Sequence, residues 1–79
     1  MGKKEKLLQK AINNPKGLSF KDFETLLINF GWIFDRQNGS HKIYYSPSGI
    51  RLPIQDRKGK AKEYQVKQFI KIIEESNYV

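Results

Sequence analysis

Apolar residues recur at helical spacing from the start of the chain. Over residues 3–14, Leu7, Leu8, Ala11 and Ile12 form one narrow stripe among Lys, Glu and Gln, which predicts a surface helix. Asn13-Asn14-Pro15-Lys16-Gly17 ends it with turn-forming residues. Ser19 then reads as an N-cap, and Asp22 three residues later makes a pattern like a capping box. Phe20, Phe23, Leu26, Leu27 and Phe30 give the second helix a broad apolar face, and Gly31 suits the position just past its end.

From Trp32 the period drops from 3.6 to 2. Residues 32–37 and 40–45 read as strands joined at Asn38-Gly39, a dipeptide suited to the positive φ angles of a type I′ hairpin turn. A third strand, 50–54, follows the turn Ser46-Pro47-Ser48-Gly49, and Pro53 places it at a sheet edge because it lacks an N–H. Residues 55–62 read as a charged loop. Residues 63–76 read as a final helix with Val66, Phe69, Ile70 and Ile73 on one face. The order α-α-β-β-β-α predicts an α+β fold: a three-stranded antiparallel sheet packed on the last two helices. We expect a single domain over 1–79, with residues 1–18 as a helical extension at the side and 19–79 as the core unit.

A two-residue turn at Asn38-Gly39 pairs Gln37 with Ser40, Arg36 with His41, Asp35 with Lys42, Phe34 with Ile43, Ile33 with Tyr44 and Trp32 with Tyr45. Alternation then places Trp32, Phe34, Ile43 and Tyr45 on the core face with Ile50, Leu52 and Ile54. It leaves Ile33, Asp35, Gln37, Lys42 and Tyr44 on a solvated face. Asp35 opposite Lys42 is a favourable charge pair. The same register sets Arg36 opposite His41 at the turn end of the core face, a geometry conditional on the two-residue turn. Two readings of His41 follow. It is a histidine hydrogen-bonded at a core margin, or a base beside a phosphate clamp. Imidazole titrates near pH ~6.5 and exchanges protons at cellular pH, and arginine offers a planar fork to phosphate oxygens.

Composition narrows the classes. The chain has 79 residues, with 15 Lys and Arg against 8 Asp and Glu, for a formal charge of +7. Such a surplus favours a polyanionic partner, nucleic acid ahead of acidic protein; the plainer reading is solubility. The lack of Cys excludes a disulfide framework, and a single His leaves no ligand set for structural zinc, so neither a metal nor another cofactor is expected. No apolar run approaches the roughly 18 to 20 residues of a membrane span, and no signal-peptide core is present. We therefore expect a cytoplasmic protein without membrane contact. Arg57, Lys58, Lys60 and Lys62 form either a solvated loop or a phosphate-tracking patch. The Phe residues at 20, 23 and 30, with Trp32 and Tyr45, read as core. Nothing here matches a P-loop, a Ser-His-Asp order or a dinucleotide fingerprint.

Gly31-Trp32 followed by Arg36-Gln37-Asn38-Gly39-Ser40-His41-Lys42-Ile43-Tyr44 resembles the HicA toxin family, mRNA interferases of type II toxin–antitoxin systems. The turn at 46–49, Arg51-Leu52-Pro53 and the helix at 66–75 extend the resemblance over about residues 20–76. It implies a double-stranded-RNA-binding-domain-like fold, endoribonuclease activity on mRNA, a catalytic His41, and a HicB-type antitoxin encoded nearby as partner. Residues 1–18 extend beyond the minimal family. The segment 55–62 lacks the second His common after the third strand, so no role is carried over for it.

RNA supplies its own nucleophile, the 2′-hydroxyl, so a metal-free enzyme need only remove that proton, stabilise charge on the phosphate and help the 5′-oxygen leave. His41 is the expected base, and Arg36 or a loop lysine the expected charge stabiliser. The expected RNA or phosphate contacts are Arg36, Ser40, Lys42, Arg57, Lys58, Lys60 and Lys62. With one His, a separate acid must be Lys, Tyr or water, and Tyr44 falls on the opposite face by alternation. One rival is a non-catalytic RNA-binding module on the same scaffold, for which His41 is dispensable. The other is a protein-interaction adaptor whose charge serves solubility, which binds RNA without salt dependence or not at all.

Overall fold

A computed structural model of the chain describes residues 3–75. Its elements are α1 (Lys3–Asn13), a 3₁₀ turn (Pro15–Gly17), α2 (Phe20–Asn29), β1 (Ile33–Asn38), β2 (His41–Tyr45), β3 (Arg51–Arg57), β4 (Lys60–Ala61) and α3 (Glu63–Glu75). The expected end of the last helix, Ser76, lies outside the described residues. The class is α+β, with an antiparallel sheet of four strands in the order β1-β2-β3-β4 where three were expected.

Local chemistry sets the helix ends. Ser19 caps α2, its Oγ accepting from the Asp22 N–H at 3.0 Å. The other half of a capping box is replaced: the Asp22 carboxylate accepts from Lys10 Nζ at 3.0 Å, tying α2 to α1. At the far end, Gly31 N donates to Ile28 O and Trp32 N to Leu27 O, each at 3.0 Å, which is a Schellman cap. Gly31 has φ +85°, and a Cβ there would sit 3.2 Å from Pro47 Cγ. Gly31→Ala is therefore expected to reduce the unfolding free energy by about 1 to 2 kcal/mol, the usual penalty for a side chain in left-handed backbone. A lower urea midpoint checks this, and an unchanged midpoint would show that the cap tolerates a Cβ.

The helices cover one face of the sheet. Phe69 of α3 is the hub of the core, meeting Phe23, Phe30 and Trp32 edge-on at ring-centre distances of 6.0, 5.9 and 5.5 Å. Leu26, Leu27, Leu52, Ile54 and Val66 fill in around it. The first helix, expected at the side, sends Leu8 and Ala11 into the same core, with Leu18 behind them, while Ile12 stays largely exposed.

The hairpin differs from expectation by one residue. The turn is Gly39-Ser40, so Asn38 faces His41, Gln37 faces Lys42 and Arg36 faces Ile43. Gly39 takes φ +65° and Ser40 does not take a positive φ, the pattern of a type II′ turn with Gly first. A bulge at Asp35 then shifts the register again, setting Phe34 opposite Tyr44 and Ile33 opposite Tyr45, where Ile43 and Tyr44 were expected. Arg36 therefore does not pair with His41, and Asp35 does not face Lys42. A one-residue slip turns every side chain of a strand over. Tyr44, expected in solvent, is buried against the helices, while Tyr45 lies on the other face and outside the core. Ile43 is buried on that other face, between its cross-strand partners Arg36 and Pro53. Phe34, expected in the core, is 47% exposed, and Ile50 is also exposed.

Residues 55–62 are not a loop. β3 runs on to Arg57 and turns back through Lys58-Gly59 into β4, pairing Arg57 with Lys60 and Asp56 with Ala61. Lys58 (φ 53°) and Gly59 (φ 85°) both take left-handed backbone, as a type I′ turn requires, and Asp56 Oδ1 accepts from Gly59 N at 2.7 Å. Residues 18–20 cover the outer edge of β4, with Phe20 N donating to Gly59 O and Ala61 N to Leu18 O. Pro53 therefore sits on an inner strand by sheet order. Because β4 pairs only with Asp56 and Arg57, the stretch around Pro53 is still free along its far side.

Candidate functional site

Strand alternation decides what β2 offers to solvent. Lys42 and Tyr44 point to the helices; His41, Ile43 and Tyr45 point to the open face of the sheet. His41 is half-buried, flanked by Asn38 on β1 and Gln55 on β3. Its ring makes no hydrogen bond or ion pair among the described residues, so neither nitrogen is tied to a structural role. Arg36 shares the open face and lies diagonal to His41, a relation that puts residues about 7 to 8 Å apart, within reach of a long side chain.

Arg36 is held from one side only. Its Nε donates to Asp35 Oδ2 at 2.7 Å. That bond and the charge of Asp35 push the guanidinium further above its ordinary range, and Tyr45 adds in the same direction. The rest of the side chain is largely exposed, within reach of an anion in solution. The bulge at Asp35 gives this residue its place beside Arg36, so the same distortion that shifts the register also aims the arginine.

Two glutamines, neither of them visible from the pattern, brace the ground under His41. Gln55, its cross-strand neighbour, donates from Nε2 to Ser40 Oγ at 3.1 Å, tying β3 to the turn that precedes His41. The backbone N–H of Gln55 donates to Oε1 of Gln65 at 2.9 Å. β4 is too short to pair there, and Gln65, buried on α3, takes the place of a missing strand. In sequence Gln65 reads as one more polar residue at the start of an amphipathic helix.

Lys42 is brought to the helix face instead of to His41. Its Nζ donates to Glu24 Oε2 at 3.1 Å and stands over the Phe20 ring. Tyr44 donates its hydroxyl to the same oxygen at 2.8 Å. Burial, followed by the Glu24 hydrogen bond, raises the Tyr44 phenol well above its ordinary value, so it keeps its proton in the neutral range. Ser40 and Lys42 share a hollow of about 510 Å³ with Lys58. Lys58 also lines a larger groove, of about 740 Å³, together with Arg57, Lys60 and Lys62. The expected contacts thus fall into two groups, Arg36 on the open face with His41 and the lysines at the turn end, and Lys58 joins the two hollows. Among the described residues no group of three His, Asp or Glu side chains is placed to hold a metal ion, and no helix is long and apolar enough to cross a membrane.

These features define a small basic α+β protein that carries its one histidine and an arginine on the sheet face away from the helices, next to a cationic hairpin. A family model described as HicA toxin of bacterial toxin-antitoxin matches residues 20–74, and the chain belongs to that family. No curated protein and no solved structure matches the chain. Membership makes it the toxin half of a toxin–antitoxin pair, a class whose other half is in general an antitoxin of the HicB type.

Proposed function

We propose that the protein is a metal-independent endoribonuclease that cuts mRNA, with His41 as its general base. The observation that carries this reading is an imidazole unengaged among the described residues and an exposed guanidinium lying diagonally on one face of the sheet, with the lysines that meet at Lys58 at its turn end. In this mechanism an imidazole nitrogen of His41 takes the 2′-hydroxyl proton. The 2′-oxygen attacks the adjacent phosphorus, the bond to the 5′-oxygen breaks, and the imidazolium or a water returns a proton to that oxygen. Arg36 stabilises the charge that builds on the non-bridging oxygens. Ser40 and the hairpin cations Arg57, Lys58, Lys60 and Lys62 hold the flanking phosphates, while Lys42, expected among them, stays on Glu24 at the helix face.

The scaffold is read as double-stranded-RNA-binding-domain-like: α2, three consecutive strands and α3 follow in order, with both helices on one sheet face. Residues 1–18 are an N-terminal addition to that unit, within one domain. The partner is a HicB-type antitoxin whose carboxylates match the cations around His41, imitating phosphate and steering encounter. The pair acts in the cytoplasm, where mRNA is found.

The test is a short RNA incubated with the purified protein in excess chelator. Cleavage is expected to continue unchanged, leaving 2′,3′-cyclic phosphate and 5′-hydroxyl ends. Ends bearing a 5′-phosphate, or activity lost with chelator, would overturn the mechanism. RNA binding without any cleavage would make the protein a binding module.

A further inference from the structure

The larger groove contains more than the hairpin. Its far wall is the start of α3, with Tyr64 and Lys67, and Lys16 of the 3₁₀ turn closes one end. Glu63 is the one carboxylate in the lining, and Lys67 Nζ already neutralises it at 3.2 Å. The surplus of positive charge therefore lies on the hairpin wall and at Lys16, while the start of α3, with Lys67 against Glu63, adds no net charge. Tyr64 lines the same groove and is 61% exposed. It is not on the core face of α3, which is Val66, Phe69 and Ile73. Lys62 Nζ lies 6.0 Å from the ring centre, and Gln65 Nε2 lies 3.4 Å from the hydroxyl. An aromatic ring is thus held in solvent without a packing reason.

We infer that this groove holds an unpaired stretch of RNA away from the cut, with Tyr64 as the platform on which a base stacks and Lys16 and Lys67 as phosphate contacts. The inference rests on RNA being the substrate, as proposed above. Sequence-tolerant grooves for single strands combine cations that track the backbone with aromatic rings that receive bases, and both parts are present here. A duplex has its bases stacked on one another and offers no free face to an isolated tyrosine. At about 740 Å³ the groove has the size of a pocket for a small ligand, such as one or two nucleotides. An acidic protein would satisfy the lysines but would leave the cation-flanked ring without a matching flat partner.

The experiment measures binding of a single-stranded RNA carrying 2-aminopurine, and of a duplex of equal length, in the His41→Ala background so that nothing is cut. Tyr64→Ala is expected to weaken single-strand binding about 5- to 150-fold and to abolish 2-aminopurine quenching. Tyr64→Phe should restore both, and duplex binding should barely respond to either change. Lys16→Glu combined with Lys67→Glu should reduce the slope of log affinity against log salt by about 1.4, near 0.7 for each lost phosphate contact. Unchanged single-strand affinity in Tyr64→Ala, or equal weakening of single strand and duplex, would overturn the inference. So would a double charge reversal that releases polyglutamate while leaving RNA bound, which would mark a protein-docking surface. The function stands in those cases if the wild type still cuts RNA. If the wild type neither binds nor cuts RNA, both readings fall.

Discussion

His41→Ala is expected to lower RNA cleavage by about 10²- to 10⁴-fold, the contribution of a positioned general base. Folding should be untouched. The imidazole lies on the sheet face away from the helices, outside the helix-packed core, and is not used in any hydrogen bond among the described residues. Circular dichroism and the melting temperature should therefore match the wild type while turnover of a fluorogenic oligonucleotide collapses. RNA affinity should persist, because the cations of the hairpin and of Arg36 remain. This combination separates the two readings that the sequence leaves open. A histidine anchoring a core margin would lose stability when truncated, with activity falling only as far as the folded fraction. Undiminished cleavage by the stable variant would remove His41 from the mechanism altogether.

The sequence was informative where a single residue type is required and misleading where two registers compete. Ser19, Gly31 and the apolar face of α2 announce themselves, because capping and left-handed backbone admit few residue types. The hairpin is different. Asn38-Gly39 suits a type I′ turn, and Gly39-Ser40 suits a type II′ turn equally well. The second, with its bulge at Asp35, lets Phe34 lie on the helix side opposite Tyr44, which pairs with Leu52, while Arg36 opposite Ile43 turns to the other face. Bulges leave no mark in the periodicity. Arg36 and His41 were rightly placed on one face, but that face is the open one, and the relation between them is diagonal. The hairpin at Lys58-Gly59 is not legible in the sequence because lysine is a poor advertisement for left-handed backbone, and a run of charges reads as loop. Gln65 gave no signal, since its role depends on β4 being too short to satisfy Gln55.

Phe69→Ala is expected to destabilise the protein by about 3 to 5 kcal/mol, the range for removing a large buried aromatic. Phe69 is fully buried and receives three other rings edge-on, so its loss opens a cavity at the point where α2, α3 and the strand entry at Trp32 meet. A chain of this size has roughly 4 to 12 kcal/mol of total stability. The substitution therefore removes about a quarter or more of it, and the melting temperature should fall by at least about 12 °C. Phe34→Ala gives the contrast. In the register read from Asn38-Gly39, Phe34 is a core residue and its truncation should be nearly as damaging. In the structure it is 47% exposed and its ring meets that of Tyr44 at the edge of the core, so the loss should stay below about 1.5 kcal/mol. Urea denaturation of the two variants therefore tests the bulged register directly, and equal losses would return Phe34 to the core. The Phe69 variant also completes the argument about His41. The site lies across the sheet from the cavity, so cleavage per folded molecule at low temperature should be retained in Phe69→Ala and absent in His41→Ala. A loss of activity through unfolding and a loss through missing chemistry then separate on one temperature series.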